Sequence, residues 1–265
     1  MLDTRYSTAI LATFVVGALS MGANVAEATF HEMQIEQVMG GVNGDLTAQA
    51  IQLRTRAASQ NFVSGARLYA WNAAGVKDPV PLINITTDLT GPGATGDRIL
   101  IATAGFASKT TPTAVPDFIM SAIPPSYLAA GSLTFEDDFG TIYWRVSWGG
   151  AGYTGSTLGD STNDNDPGFT PADFGPPFAG PLPSARCLAL QFQGAATALS
   201  TSNNADYAVT SDASDWVKYH GASYTISVCI PAVSEWGLAV MMLTLLTAAT
   251  LLIARRRSVG LANAA

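Results

Sequence analysis

The residues whose chemistry can reach beyond packing are few: Cys187 and Cys229, His31 and His220, and two clusters of acids. Hydrolysis by a nucleophile and its base, or by a metal, needs histidine near its partners. Here the two histidines stand near opposite ends of the body, and no G-x-S-x-G, H-E-x-x-H, C-x-x-C or glycine-rich phosphate loop occurs. No catalytic residue is therefore assigned. Paired carboxylates for glycoside hydrolysis need no local motif, and a secreted hydrolase stays open as a third reading.

"DSTNDNDPG" gathers hard oxygens, and Asp160, Asn163, Asp164 and Asp166 are the residues that would hold Ca²⁺, the one cofactor considered. The spacing is not that of an EF-hand, and such turns also hold themselves together without metal. "FEDDFG" (Glu136, Asp137, Asp138) reads as a hairpin turn. Tyr143, Trp144, Trp148 and Tyr153 lie near one another in sequence and could stack on a sugar; filling the core is the plainer use of the two tryptophans.

The elements that must position these residues are strands. Charged residues make up only 12% of the chain, while glycine (25) and proline (14) are plentiful, a composition suited to an extracellular β protein. "AIQLRTRA" places Ile51, Leu53 and Thr55 on one face, and "YWRVSWGG" does the same with Trp144, Val146 and Trp148. "MQIEQVMGG", "ARLYAWNAAG", "VPLINITTDL", "DRILIATAG", "CLALQFQG" and "SYTISVCI" are further strands, so eight to ten are expected in an antiparallel sandwich with one apolar face per sheet. "PDFIMSAIPPSYLAAG" is expected to be helical for a turn or two, and residues 152–186 to form one long loop. Cys187 and Cys229 sit on the faces opposite their strands' apolar residues. In an oxidising compartment they are expected to pair, closing a loop of about 42 residues and stabilising by roughly 3–4 kcal/mol.

The two ends read as addresses. Arg5, an apolar run from Ala9 to Met21, and small residues at Ala26 and Ala28 form a secretory signal, residues 1–28, with cleavage expected after Ala28. Leu238 to Ala254 is uncharged, long enough to span a bilayer, and stopped by Arg255, Arg256 and Arg257. By the positive-inside rule these arginines and the tail 258–265 stay cytoplasmic, and the body 29–229 lies outside. An acidic body, in a chain of net charge −7, argues against nucleic acid as a partner.

Before the apolar run stands "IPAVSEWG". With the helix and arginines that follow, it resembles the IPTL-CTERM tails of bacterial surface proteins, related in plan to PEP-CTERM proteins. Ile230, Pro231, Ser234, Glu235, Trp236 and Gly237 match; Ala232 and Val233 replace the usual Thr and Leu. The resemblance covers residues 230–257 and implies recognition by an exosortase-type membrane protease, after the N-terminal signal has directed export through the Sec translocon. Residues 31–104 resemble the lamin-tail type of immunoglobulin-like sandwich, with Gln52 where that family carries a carboxylate. The expected protein is all-β, carried to the cell surface or beyond, with a structural or adhesive role; a module binding extracellular polysaccharide is the rival reading.

Overall fold

Alternation of apolar residues builds a six-stranded sheet. The computed structural model describes residues 30–160, 172–200, 202–210, 215–227, 240–248 and 250. Strands are numbered in chain order. The large sheet runs β13 (Tyr207–Val209), β12 (Leu190–Phe192), β1 (Met33–Met39), β2 (Ala50–Thr55), β5 (Arg98–Ala102) and β7 (Phe118–Ile119). Neighbours are antiparallel except β5 and β7. Ile51, Leu53, Ile99, Ile101, Leu190 and Phe192 point into the main core. Strand β1 joins them only through a bulge: its pairing with β2 slips between Ile35 and Gln37, leaving Glu36 as the extra residue. Met33, Ile35 and Val38 then all reach the core, which strict alternation forbids.

The facing sheet has the order β4 (Ile83–Asn84), β3 (Arg67–Trp71), β8 (Gly131–Glu136) and β9 (Ile142–Trp148). Leu68, Ala70, Leu133, Phe135, Trp144, Val146 and Trp148 close the core from this side. The turn from β8 to β9 is built by Asp137, whose Oδ1 accepts from Phe139 N (2.9 Å) and Thr141 N (2.8 Å). Gly140 supplies the positive φ the turn requires. The acidic run is thus a hairpin turn, except that Glu136 itself belongs to β8 and is fully buried.

Part of the large sheet's second face is covered, contrary to the sequence expectation. A small sheet of β14 (Trp216–Val217), β15 (Ser223–Ile226) and β6 (Thr110–Thr111) lies over it. Phe106, Trp216, Tyr224 and Ile226 pack there against Met39, Ala50, Leu100, Ala102, Cys187 and Ala189. Glutamines complete the attachment. Gln52 Nε2 donates to Val217 O (2.7 Å) while its Oε1 accepts from Val217 N (2.8 Å), and Gln37 Nε2 donates to Asp215 O (3.2 Å). A carboxamide that both donates and accepts serves the backbone as a strand neighbour would.

Within residues 116–131 the helical part is the single turn expected, 3-10 helix at Pro125–Tyr127, and Phe118–Ile119 is a strand. A proline pair blocks anything longer. The loop 152–186 contains a small antiparallel pair, β10 (Leu158–Gly159) with β11 (Ala172–Asp173). Residues 240–248 are helical, and among the described residues no helix is long and apolar enough to cross a membrane.

Candidate functional site

The polar half of the large sheet's outer face carries its densest charge cluster. Glu36, displaced onto that face by the bulge, accepts from Arg98 Nε (2.6 Å) and Nη2 (2.7 Å) and pairs with Arg54 Nη1 at 3.0 Å. Arg54 also donates to Gln34 Oε1 and to Gly194 O (2.8 Å). Burial lowers the Arg54 pKa, opposed by Glu36, whereas the hydrogen bond to Glu36 raises that of Arg98. Arg54 and Arg98 are register partners on β2 and β5. Like charges so placed repel, and Glu36 is the anion that lets them coexist.

A second cluster lies on the outer face of the smaller sheet. Lys77 pairs with the buried Glu136 and sits 3.7 Å from the centre of the Tyr69 ring. The Arg145 guanidinium carbon is 4.7 Å from the Trp71 ring centre. Arg145 is almost fully buried, its Nε donating to Leu158 O (2.9 Å) and its Nη1 to Ser132 Oγ (3.1 Å), and burial lowers its pKa. Trp71 Nε1 donates to Thr134 Oγ1 at 2.8 Å. Each polar group here is engaged by a neighbour, which makes the cluster a brace for the segment that carries Leu158.

A third site is the turn from β14 to β15. His220, at φ 47°, places Nε2 3.0 Å from Asp97 Oδ2 and stacks on Tyr219 at 4.1 Å. A hydrolytic triad needs a nucleophile at the other ring nitrogen. Here Gly91 stands there instead: a Cβ on it would lie 3.1 Å from Nδ1. The arrangement therefore fastens the turn to the loop 91–97. Asp117 fastens it from below, its Oδ2 accepting from Leu100 N (2.9 Å) and Tyr219 N (2.8 Å), with burial raising its pKa.

The Tyr219 hydroxyl is buried with no hydrogen-bond partner among the described residues. Tyr219→Phe removes an uncompensated polar group and is expected to leave stability unchanged or raise it by about 1 kcal/mol. Urea midpoints at constant m-value read this directly; a loss above about 1 kcal/mol would mean the hydroxyl is satisfied.

The aromatic residues named for sugar stacking are not available for it. Trp144 and Trp148 are 0% exposed, and Tyr143 and Tyr153 are 5% exposed. Trp144 Nε1 donates to Tyr207 Oη, Trp148 Nε1 to Tyr127 O, Tyr143 Oη to Asp137 Oδ2, and Tyr153 Oη to Ser156 O. With their faces in the core or against other segments, they offer no stacking surface, and the expectation is corrected. Of the calcium residues, Asp160 is described, its N–H donating to Ile142 O at 2.7 Å; Asn163, Asp164 and Asp166 lie outside the described residues.

Cys187 is buried on the outer face and is not a free thiol. Cys229, Ala26, Ala28, the motif Ile230 to Gly237 and Arg255, Arg256 and Arg257 lie outside the described residues. Sequence reasoning missed the Glu36, Arg54 and Arg98 cluster and the buried Asn203. Asn203 Oδ1 accepts from Ser147 N (2.8 Å) and its Nδ2 donates to Arg145 O (3.2 Å), so it satisfies an edge of β9. The signal available for the cluster was two arginines on strands expected to be neighbours.

No family model, no curated protein and no solved structure matches this chain.

Proposed function

We propose that the chain is an exported bacterial surface protein whose body has a non-catalytic structural or adhesive role. In this reading the signal directs it through the Sec translocon, the apolar C-terminal helix holds it at the membrane, and an exosortase-type protease reads the motif at Ile230 to Gly237. The observation that carries the reading is the helix at 240–248. Val240, Met241, Met242, Leu243, Leu245 and Leu246 are all more than half exposed. An apolar helix that adds nothing to the protein's own core is suited to lipid. Its threonines agree: Thr244 and Thr247 donate their hydroxyls to Val240 O (2.9 Å) and Leu243 O (2.6 Å), as a polar side chain in hydrocarbon must do.

The body supports an immunoglobulin-like sandwich, with β1, β2 and β5 in one sheet and β3 in the other over the segment that resembles lamin tails. Its polar clusters brace strands and turns, as the charge clusters at Glu36 and Arg145 do, and this supports a scaffold role. A disulfide from Cys187 to Cys229 belongs to the same reading. Cys187 shares a cluster with Ile226, and one residue separates Ser227, anchored to Lys109 O at 2.8 Å, from Cys229.

Intact mass and fractionation of the native protein test the proposal. The expected mass begins at Thr29, lacks the helix and arginines, and is found at the cell surface or in the medium. A mass corresponding to Thr29 through Ala265, confined to the inner membrane, would sink the sorting reading.

A further inference from the structure

A pocket of about 220 Å³ opens between the start of β5 and the turn from β14 to β15. Arg98, Lys218, His220 and Asp97 supply its polar lining, with Gly96 and Gly221 beside them. Two fixed cations therefore stand against one carboxylate, in a chain whose net charge is −7. The Arg98 guanidinium is only partly used. Glu36 takes Nε and one N–H of Nη2, which leaves three of the five N–H donors, those at the far end of the fork. The Arg98 side chain is 39% exposed and that of Glu36 only 3%, so the unused end is the one turned outward. Lys218 makes no ion pair among the described residues. Asp117 feels its charge but spends Oδ2 on Leu100 N and Tyr219 N. Asp97 meets His220 Nε2 and Ala94 N through Oδ2, and its Oδ1 has no hydrogen bond among the described residues.

We propose that this pocket binds one sugar-acid unit, a carboxylate carried on a hydroxylated ring. The inference deepens the adhesive reading given above and rests on it for where such a ligand is met. The open end of the Arg98 fork matches a carboxylate, and Lys218 adds a second charged donor to the same anion. A neutral sugar leaves both cations without a charged partner, so acidic sugars are preferred. Asp97 decides between a sugar acid and a bare oxyanion. Sulfate has no proton to give Oδ1 and is repelled by it, whereas a ring hydroxyl donates to it. The volume sets the number of units. It lies below the ~300 Å³ at which pockets for drug-sized ligands begin, so one ring enters and a chain does not. No tyrosine, tryptophan or phenylalanine lines the pocket, so charge and hydrogen bonds carry the recognition. For a ligand of about thirteen non-hydrogen atoms held in this way, Kd is expected on the order of 1 mM. The unit is either the end residue of an acidic polysaccharide or the free sugar acid.

Calorimetric titration of the full-length chain in detergent micelles with glucuronate tests this. One site is expected, with glucose and sulfate each binding roughly tenfold more weakly or worse. Lys218→Glu is expected to weaken glucuronate by roughly tenfold or more, with the urea midpoint unchanged because the lysine side chain pairs with nothing in the body. No binding of glucuronate, equal binding of glucose or sulfate, or an affinity indifferent to Lys218→Glu would overturn the proposal. A short oligouronate separates the two sources. Competition with glucuronate assigns the polymer end, and its absence assigns the free sugar acid, the pocket being supported in both cases. Intact mass and fractionation report export and cutting whether or not the pocket is filled, so the two readings fail separately.

Discussion

Replacing Glu36 with alanine is expected to destabilise the body by about 3 kcal/mol, within the 3–5 kcal/mol typical of breaking a buried pair. The carboxylate side chain is 3% exposed and serves two arginines. Removing it strands Arg54, whose side chain is only 12% exposed, opposite Arg98 with no anion between them and the protein interior. The loss falls at the low end because the Arg98 side chain is 39% exposed and water screens that half of the cluster. Urea unfolding of Glu36→Ala reads the loss. A double-mutant cycle with Arg54→Ala should return a coupling above about 1 kcal/mol, because the two residues share one interaction. A loss below about 1 kcal/mol for Glu36→Ala would show that solvent already satisfies both arginines. The bulge would then be a matter of strand twist alone.

Trp144→Ala is expected to cost about 4–5 kcal/mol, at the upper end of the range for truncating a buried aromatic side chain. The ring is fully buried, 5.5 Å from Phe174 and 5.4 Å from Phe192 between ring centres. Lost transfer and a residual cavity supply most of the cost. A polar loss adds to it. Trp144 Nε1 donates to Tyr207 Oη at 2.8 Å, and Tyr207 Oη donates to Ile35 O at 2.6 Å, so one short chain of hydrogen bonds ties both sheets together. Trp144→Phe keeps most of the volume and is expected to cost about 2 kcal/mol, much of it the unmet acceptor. Urea unfolding of both variants measures these losses. Should Trp144→Ala cost under about 2 kcal/mol, the ring is not a core element, and sugar stacking returns to consideration.

The sheets were readable from sequence where alternation runs for five residues or more, as in β2, β3 and β9, or where an apolar run is unbroken, as in β5. Strand β8 was not, because Gly131 and Ser132 resemble turn residues and Glu136 merges into an acidic run. What makes it a strand is tertiary: β3 and β9 pair with it on either side. The third layer was hidden for a similar reason. Strands β14 and β6 are two residues long, and nothing local announces that Trp216 will cover Met39 and Leu100. In β1 the bulge at Glu36 changes which residues face the core, and its trace in the sequence, a phase break in the apolar spacing Met33, Ile35, Val38, does not by itself say that a bulge is the cause. The charge cluster therefore could not be assembled from spacing, since it requires the register of three strands. The buried role of Trp144 and Trp148, by contrast, follows from their alternation with Val146 alone.

Strand β1 also constrains the order in which the protein can become itself. It lies inside the large sheet, and its partner on one side, β12, arrives about 150 residues later in the chain. At synthesis rates of about 5–20 residues per second, the N-terminal strands wait on the order of ten seconds or more with that edge open. Pairings of such long range also make folding intrinsically slow. An unpaired edge is an invitation to wrong partners. The polar residues Gln34, Glu36 and Gln37 on this strand make the waiting edge a poor template for aggregation. The same residues later hold the charge cluster and the outer layer together. The strand that anchors the finished sheet is thus also the one that must survive longest unfinished.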